Sequence, residues 1–527
     1  MYIYLCPICP KGAFCAMNKQ TGINFIAQVI AFATNLCISF FLTPFIIENV
    51  GVEANGFVTL ANTFVEYAQL FTVAINSMAG RFITIKIHQK NIKDANKYFT
   101  SVVFANVFLS VVFTAVISFV IVFLEKFLNI SESSVADIKV LWAFVALNFI
   151  ISLFASNYSV STFVTDRLDK TALTNARGSI LRALVLVLCY TFFRPYTFYV
   201  GIASVVMGFN NLISHMYFKN KLLPELRVKR EYFDFACIKE LISSGIWNSV
   251  TKLSAILSSG LDLLITNILV NGVAMGILNL SKTVSNLVLS LFGMLSSIFA
   301  PQLTIAYANN NLDEMKKQLI SSVKLLGLFS SIPIAILIGF GKSFYKLWVP
   351  TEDENLLYIL TVITCFNLIF ALPLEPLYNI FTVKNKIKVS SIALICFSLA
   401  SVLTVFAGLT FIDGENTKII YIAAVGAFYS TIRVLIFLPL YGAKCLDFKL
   451  TTFYPVILRN VLSVAVLIFL SLITNSLVTV DTWVEFFAFC ILIAVIGLIT
   501  NTVTLFSKQE RKDLYVSLKK FIKRKGA

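Results

Sequence analysis

The chain has 527 residues, of which 58% are hydrophobic and 13% are charged, and its 43 Lys and Arg against 27 Asp and Glu leave a net charge of +16. Soluble globular domains carry about 25% charged and about 45–50% apolar residues, so this composition excludes a soluble protein and indicates an integral membrane protein. The positive charge indicates topology, because basic residues of membrane proteins collect in cytoplasmic loops. No nucleic-acid partner is therefore expected.

Long apolar runs occupy most of the chain. Each holds about 20 or more residues, enough for a helix to cross roughly 30 Å of hydrocarbon. Alternating barrel strands would not give continuous apolar runs, so the sequence predicts an all-α polytopic membrane protein with about 14 transmembrane helices. The predicted spans, in chain order, are residues 23–47, 53–79, 98–124, 140–165, 178–193, 196–218, 241–269, 272–300, 321–341, 357–382, 389–411, 417–441, 453–475 and 482–505.

Loop charge predicts the orientation of these spans. The loops after even-numbered spans are basic, as in residues 81–97, 167–177 and 219–239. The loops after odd-numbered spans are short and acidic, as in residues 48–53 and 413–415. Because basic loops stay in the cytoplasm, the loops after even-numbered spans and both chain termini are predicted to be cytoplasmic.

The two ends of the chain are predicted to lie outside the helical bundle. Residues 1–16 are interpreted as a start-site extension, because Met17 begins an ordinary start just before span 1. Residues 507–527 are predicted to form a basic amphipathic cytoplasmic tail, solvated or facing lipid headgroups. The chain has two histidines, and Cys6 and Cys9 have no second Cys or His pair nearby, so neither a metal site nor a cofactor is predicted.

An internal repeat is the most informative pattern in the sequence. Residues 50–103 align with residues 271–323 at an offset of about 220 residues, which corresponds to six spans. An even number of spans gives both repeats the same orientation, and parallel repeats of this kind place a cavity between two lobes that alternate access. The aligned positions include Gly51 with Gly272, Gly56 with Gly276, Asn91 with Asn311, and Lys97 with Lys317.

The repeat predicts the domain organisation of a transporter. Residues 17–220 are predicted to form an N-lobe of spans 1–6, and residues 241–445 a C-lobe of spans 7–12, around a central cavity. Residues 221–240 are predicted to be a cytoplasmic linker, and residues 446–506 a C-terminal helix pair, spans 13 and 14. This architecture indicates transport but does not identify the cargo.

Several of these glycines and their neighbours carry a resemblance to a known group. The matching stretches are residues 51–56 and the span that follows through Gly80-Arg81, residues 262–265, residues 272–276, and Ala300-Pro301-Gln302. In these stretches, and in its pattern of spans over residues 17–506, the sequence resembles the oligosaccharide flippases of the multidrug/oligosaccharidyl-lipid/polysaccharide exporter superfamily. Many relatives place a basic residue after the acid that matches Asp262, whereas this chain has Leu263.

The resemblance implies a function and a location. It implies a flippase that moves an undecaprenyl-diphosphate-linked oligosaccharide from the inner to the outer leaflet by alternating access, in the synthesis of cell-surface polysaccharide such as lipopolysaccharide O-antigen. The implied location is the bacterial cytoplasmic membrane. The implied partners are the lipid-linked sugar, membrane lipid, and a polysaccharide polymerase with other assembly proteins.

Two other classes are compatible with a polytopic membrane protein. An ion-coupled multidrug or cation antiporter of the same superfamily would have about 12 spans and acidic cavity residues. A polytopic glycan polymerase or ligase would need a large outer loop with catalytic groups, whereas the longest outer loop, near residues 125–139, is short. The chain is therefore not expected to be an enzyme, and the additional spans favour the flippase.

Charged residues inside the spans are the candidates for function, because burying a charge in hydrocarbon is expensive. A lipid diphosphate needs cations in a site of low dielectric constant, so the basic candidates are predicted to bind substrate. Lys282 is the first choice, because cationic positions on the first two helices of a lobe commonly face the cavity in the resembling flippases. The predicted substrate-binding residues are Lys282, Lys252 and Arg433, and the predicted coupling or ion-pair residues are Glu66, Asp262 and Glu375.

Structural roles for the same residues remain open at this point. Asp262 and Lys282 are predicted to lie at similar depth and could neutralise each other, as could Glu375 and Arg433. Glu66 is either a protonatable coupling group or a carboxyl satisfied by neighbouring Asn or Thr side chains. Intramembrane asparagines, among them Asn76, Asn157 and Asn248, either bind sugar hydroxyls or join helices.

Overall fold

The structure is a computed structural model, and it describes residues 19–131, 134–259, 261–297, 299, 303, 307, 311–384, 386–478 and 480–512. The predicted start-site extension and the tail beyond residue 512 lie outside these ranges. Within them the chain forms helices and turns and no strand, which confirms the predicted all-α polytopic fold.

Fourteen long helices follow one another along the described chain. The segment Lys19–His88 is continuous except at Gly51, whose φ of 84° and ψ of 165° separate α1, residues 19–50, from α2, residues 52–88. Glycine tolerates this positive φ because it has no Cβ. The others are α3 Ile92–Val122, α4 Val135–Val164, α5 Leu168–Phe192, α6 Phe198–Leu222, α7 Phe235–Ser259 followed by Leu261–Leu269, α8 Gly272–Ser297, α9 Leu312–Trp348, α10 Glu354–Leu374, α11 Ile387–Leu409, α12 Glu415–Ile432, α13 Tyr454–Leu477 and α14 Trp483–Leu505.

Most of these helices are long and apolar enough to cross a membrane. Eleven segments meet that description, with α1 and α2 counted as one segment, and α6 and α7 are not among them. Large apolar side chains are exposed along the outer faces, including Phe108, Val111 and Phe119 on α3. Such surfaces are expected to contact lipid, which is as apolar as the side chains themselves.

Two helices of the second half of the chain are interrupted where charged residues occur. After α10, Glu375–Leu377 form a 3₁₀ turn that leads into a further helical segment, Tyr378–Val383. Pro373 and Pro376 flank Glu375, and proline interrupts a helix because it lacks a backbone N–H and its ring clashes with the preceding turn. After α12, Arg433–Phe437 form a π-helical turn that leads into Leu438–Cys445. Single π turns inside helices occur frequently at functional sites.

The internal repeat is visible in matching helix caps. Asn91 accepts a hydrogen bond from the backbone N–H of Asp94 at the start of α3, and Asn311 accepts one from Glu314 at the start of α9. The cap residues have nearly equal dihedral angles, −96° and 75° against −96° and 81°. An Asn side chain at this position satisfies a backbone donor that the helix leaves unpaired.

The described residues group into two compact units, the first ending at Gly276 and the second beginning at Ile277. Within the first unit α7 packs against α2, because Gly245 allows the two helix backbones to touch. The lobes predicted from the sequence, in which α7 begins the C-lobe, stay predictions. A core around Phe99 and Leu241 supports the first unit, and one around Leu319 and Leu438 supports the second.

Candidate functional site

An ion pair between α2 and α7 is the central feature of the first unit. The Lys252 Nζ donates to the Glu66 Oε2 at 3.2 Å. The two side chains are 31% and 45% exposed, so the pair is accessible to a ligand from at least one side. The sequence predicted substrate binding for Lys252 and coupling for Glu66, but it did not predict that the two side chains meet.

The pair lies at one end of a continuous contact between the two helices, which we call the α2–α7 seam. The seam consists of Glu66, Leu70, Ala74 and Ser77 on α2, and Gly245, Asn248, Ser249 and Lys252 on α7. The positions on α2 recur every three or four residues, as do Gly245, Ser249 and Lys252 on α7, so each set shares one face of its helix.

Hydrogen bonds and one close approach hold the seam together. The Ser249 hydroxyl donates to the Leu70 carbonyl at 2.7 Å, and the Asn248 amide donates to the Ser77 hydroxyl at 2.9 Å. A Cβ atom on Gly245 would lie 1.9 Å from the Ala74 carbonyl oxygen, so only glycine allows this approach. The rotation of α7 about its axis, and with it the direction of Lys252, is set by these contacts.

Asp262 and Lys282 occupy different compact units. Asp262 lies in the segment Leu261–Leu269, partly buried, and its backbone carbonyl accepts a hydrogen bond from the Thr266 hydroxyl. Lys282 lies on α8, ten residues after Gly272, and is also partly buried. Their mutual pairing and their predicted roles stay predictions.

Glu375 and Arg433 lie at the two helix interruptions of the second unit. The Arg433 Nη1 donates to the Tyr378 hydroxyl at 2.5 Å, one turn beyond Glu375. Arg433 interacts electrostatically with Glu375, although no ion pair within 4.0 Å joins these two described residues. The arrangement links the 3₁₀ turn after α10 to the π turn after α12, and its role in substrate binding stays a prediction.

Arg182 is a charged residue that sequence analysis missed. It lies in the middle of α5, and its Nε is buried without a hydrogen-bond partner in the described part of the chain. Within those same residues no carboxylate lies within 4.0 Å of it. The sequence could have identified Arg182, because it falls inside the predicted span 178–193. Burying an arginine in hydrocarbon costs free energy, which makes such a residue a functional candidate.

Lys324 is a second charged residue that was missed, and its role is different. It lies on α9, is 8% exposed, and its Nζ donates to the Glu510 Oε1 at 2.7 Å. Glu510 belongs to the start of the tail and also accepts from the Ser507 backbone N–H. The contact fastens the described part of the tail to the second unit.

No group of three or more His, Cys, Asp or Glu side chains that could hold a metal ion occurs among the described residues. The described cysteines, which include Cys37, Cys189 and Cys365, form no disulfide with one another. What the site offers chemically is therefore a set of intramembrane cations and carboxylates together with neutral amides.

The fold is that of the flippases and transporters of the multidrug/oligosaccharidyl-lipid/polysaccharide exporter (MOP) superfamily, which confirms the resemblance found in the sequence. No protein-family model matches the chain.

Three individual proteins are similar to this chain over most of its length. The structure of the lipid II flippase MurJ in an inward closed conformation matches with a TM-score of 0.63 and 15% identity, covering 92% of this chain and 98% of that one. An inward-facing multidrug resistance MATE transporter of the MOP superfamily matches with a TM-score of 0.64 and 13% identity, covering 80% of this chain and 99% of that one. The uncharacterized membrane protein EpsK of Bacillus subtilis (strain 168) is 26% identical over 506 residues, 96% of this chain and 99% of its own length.

Proposed function

We propose that this protein is a flippase that moves an undecaprenyl-diphosphate-linked oligosaccharide from the inner to the outer leaflet by alternating access. The proposal includes its place in cell-surface polysaccharide synthesis, in a bacterial cytoplasmic membrane with both termini in the cytoplasm. A polysaccharide polymerase and other assembly proteins are its proposed partners. The protein itself is proposed to have no enzymatic activity.

The observation that carries the proposal is the environment of Arg182. A guanidinium in the middle of a transmembrane helix, with no carboxylate within reach among the described residues, attracts an anion and repels a cation. Guanidinium also matches phosphate oxygens with paired hydrogen bonds. A diphosphate headgroup is therefore a better cargo for this unit than a cationic drug.

The share of this chain that each solved structure covers supports the same choice between branches of the superfamily. The match to the lipid II flippase MurJ covers 92% of this chain, whereas the match to the MATE transporter covers 80%. The flippase thus shares a larger part of the chain, as expected if the C-terminal helix pair belongs to the transport fold.

The charged residues receive proposed roles in this mechanism. Lys252 and Arg182 of the first unit, and Lys282 and Arg433 of the second, are each proposed to contact the diphosphate during transport, while the prenyl tail stays in lipid. Lys252 can do so only after it leaves Glu66, so cargo binding is proposed to open the ion pair, with Glu66 as the coupling group. Asp262 and Glu375 are proposed to balance the remaining charge.

The alternative is an ion-coupled drug or cation antiporter, and the partly exposed carboxylate of Glu66 favours it. Purified protein in liposomes would distinguish the two. One sample holds a fluorescent polyprenyl-diphosphate disaccharide, whose outer-leaflet label is bleached by impermeant dithionite. The other holds ethidium under a proton or sodium gradient. We expect protein-dependent bleaching beyond the outer-leaflet fraction, and no ethidium transport.

Two variants connect the result to the cations. Arg182→Gln and Lys282→Ala should each slow movement of the disaccharide lipid at least tenfold, whereas the exposed Lys386→Ala should leave it unchanged. Ethidium transport without lipid movement would establish the antiporter instead. Full activity of both Arg182→Gln and Lys282→Ala would remove the anion-binding argument.

A further inference from the structure

A cavity of about 210 Å³ lies between α2 and α4 in the first unit. Its walls also include Val102 of α3, and it is partly open. Among the described residues around it no ionisable side chain occurs. The polar and aromatic residues that line it are Asn76, Ser77, Ser156, Asn157, Ser159 and Phe163.

Asn76 of α2 and Asn157 of α4 line this cavity, and Asn106 of α3 bonds to both of them. The Asn106 amide nitrogen donates to the Asn76 Oδ1 at 2.9 Å and to the Asn157 Oδ1 at 2.6 Å. Asn106 is 0% exposed and Asn157 is 2% exposed. We call this arrangement the amide cavity.

The asparagine cluster is incompletely satisfied. The Asn106 Oδ1 and the Asn157 Nδ2 are buried and have no hydrogen-bond partner in the part of the chain that the structure describes. Turning all three amides around exchanges the partners but still leaves one donor and one acceptor unpaired. An unpaired buried polar group costs free energy, so these three side chains do not fully satisfy one another.

Size and chemistry define what would fit. The volume corresponds to about seven waters at roughly 30 Å³ each, which is room for one monosaccharide ring and too little for a drug-sized molecule. The amide and hydroxyl groups of Asn76, Ser77 and Asn157 belong to side chains that line the cavity, and groups of this kind match sugar hydroxyls, which both donate and accept hydrogen bonds. Phe163, with 54% of its surface exposed, offers a ring face to the apolar C–H face of a sugar.

We propose that the amide cavity binds one neutral monosaccharide unit of the cargo through its hydroxyl groups. The inference rests on the proposed function for the cargo itself, and adds a residue-level site for the sugar. On α2, Asn76 follows Glu66 by ten residues, which is about 15 Å along the helix. A cargo whose diphosphate lies at the Lys252–Glu66 pair and whose first sugars reach the amide cavity would extend over that distance.

The test compares two probes in the same liposomes: a fluorescent polyprenyl diphosphate without sugar, and one carrying a neutral disaccharide. Asn157→Leu keeps the side-chain size but removes both amide groups, and Phe163→Ala removes the ring from a partly exposed position that the fold tolerates. Each should raise the KM for the disaccharide probe about tenfold, the effect of one or two lost hydrogen bonds or one ring contact, and leave the sugar-free probe unchanged. Asn62→Leu is the matched control, because the Asn62 amide donates to the Val58 carbonyl of its own helix.

The outcomes separate this inference from the proposed function. Equal slowing of both probes by Asn157→Leu and by Phe163→Ala would show a packing role and overturn the sugar site, while the flippase proposal would stand. Unchanged KM values in both variants would show that the cavity holds water only, and would also overturn it. If the wild-type protein moves neither probe, the proposed function itself fails. Should Asn157→Leu not fold, Phe163→Ala alone decides.

Discussion

Replacing Gly245 with alanine is the most direct test of the α2–α7 seam. The added methyl carbon would lie 1.9 Å from the Ala74 carbonyl oxygen and 2.7 Å from the carbonyl carbon. A carbon needs about 3.3–3.6 Å from such an oxygen, so α7 must move away from α2 by about 1.5 Å. The obstacle is backbone, which cannot rotate aside as a side chain could.

The displacement would reach the ion pair. Lys252 lies two turns from Gly245 on the same face of α7, and the Ser249 bond to Leu70 lies between them. Moving the helix by about 1.5 Å would lengthen both contacts, and overpacking of this kind typically costs about 1–3 kcal/mol. We therefore expect Gly245→Ala to lower the melting temperature in detergent and to slow lipid movement.

Gly293→Ala is the matched control. Gly293 is also inside a helix, and a Cβ there would meet nothing within 4 Å. Alanine favours a helix over glycine by about 1 kcal/mol, so this variant should melt at or above the wild-type temperature. If Gly245→Ala melts and transports as the wild type does, the close approach of α7 to α2, and with it the argument for the direction of Lys252, is wrong.

Three further predictions concern other contacts. In a double-mutant cycle, Glu66→Gln and Lys252→Met should be non-additive in the melting temperature, with a small coupling of about 0.2–1 kcal/mol because both groups are partly exposed; additive effects would show that the ion pair does not form. Burial opposes ionisation of Glu510, but its bonds to Lys324 and Ser507 outweigh this and lower the pKa of the carboxyl below its ordinary value. The tail contact should therefore persist at neutral pH and weaken as the pH falls below about 4. Hydrogen exchange of residues 507–512 measures the strength of this contact. In the Glu510→Gln variant these residues should exchange rapidly at every pH, and protection equal to that of the wild type would contradict the ion pair. Removing the helix cap with Asn311→Ala should cost about 1 kcal/mol in thermal melting, and no change would show that the cap is dispensable.

Much of the fold could be predicted because it depends on local sequence. Apolar runs of membrane-spanning length predicted the fourteen helices, and the two prolines around Glu375 lie where the helix is interrupted after α10. The aligned asparagines Asn91 and Asn311 proved to be equivalent caps. Each of these features depends on a few consecutive residues, so their chemistry is present in the sequence itself.

The candidate site depended on the sequence for its residue types and on the tertiary structure for its arrangement. Composition and span positions selected Glu66 and Lys252 as charged groups inside the membrane, since few residues of that kind are tolerated there. Which of them meet was decided by the rotation of α7 about its axis, and that rotation follows from Gly245 lying against a distant backbone. Likewise the unpaired atoms of Asn106 and Asn157 exist only because three helices bring their amides together. Contacts between residues far apart in the chain carry no local pattern, so only the packed structure could show them.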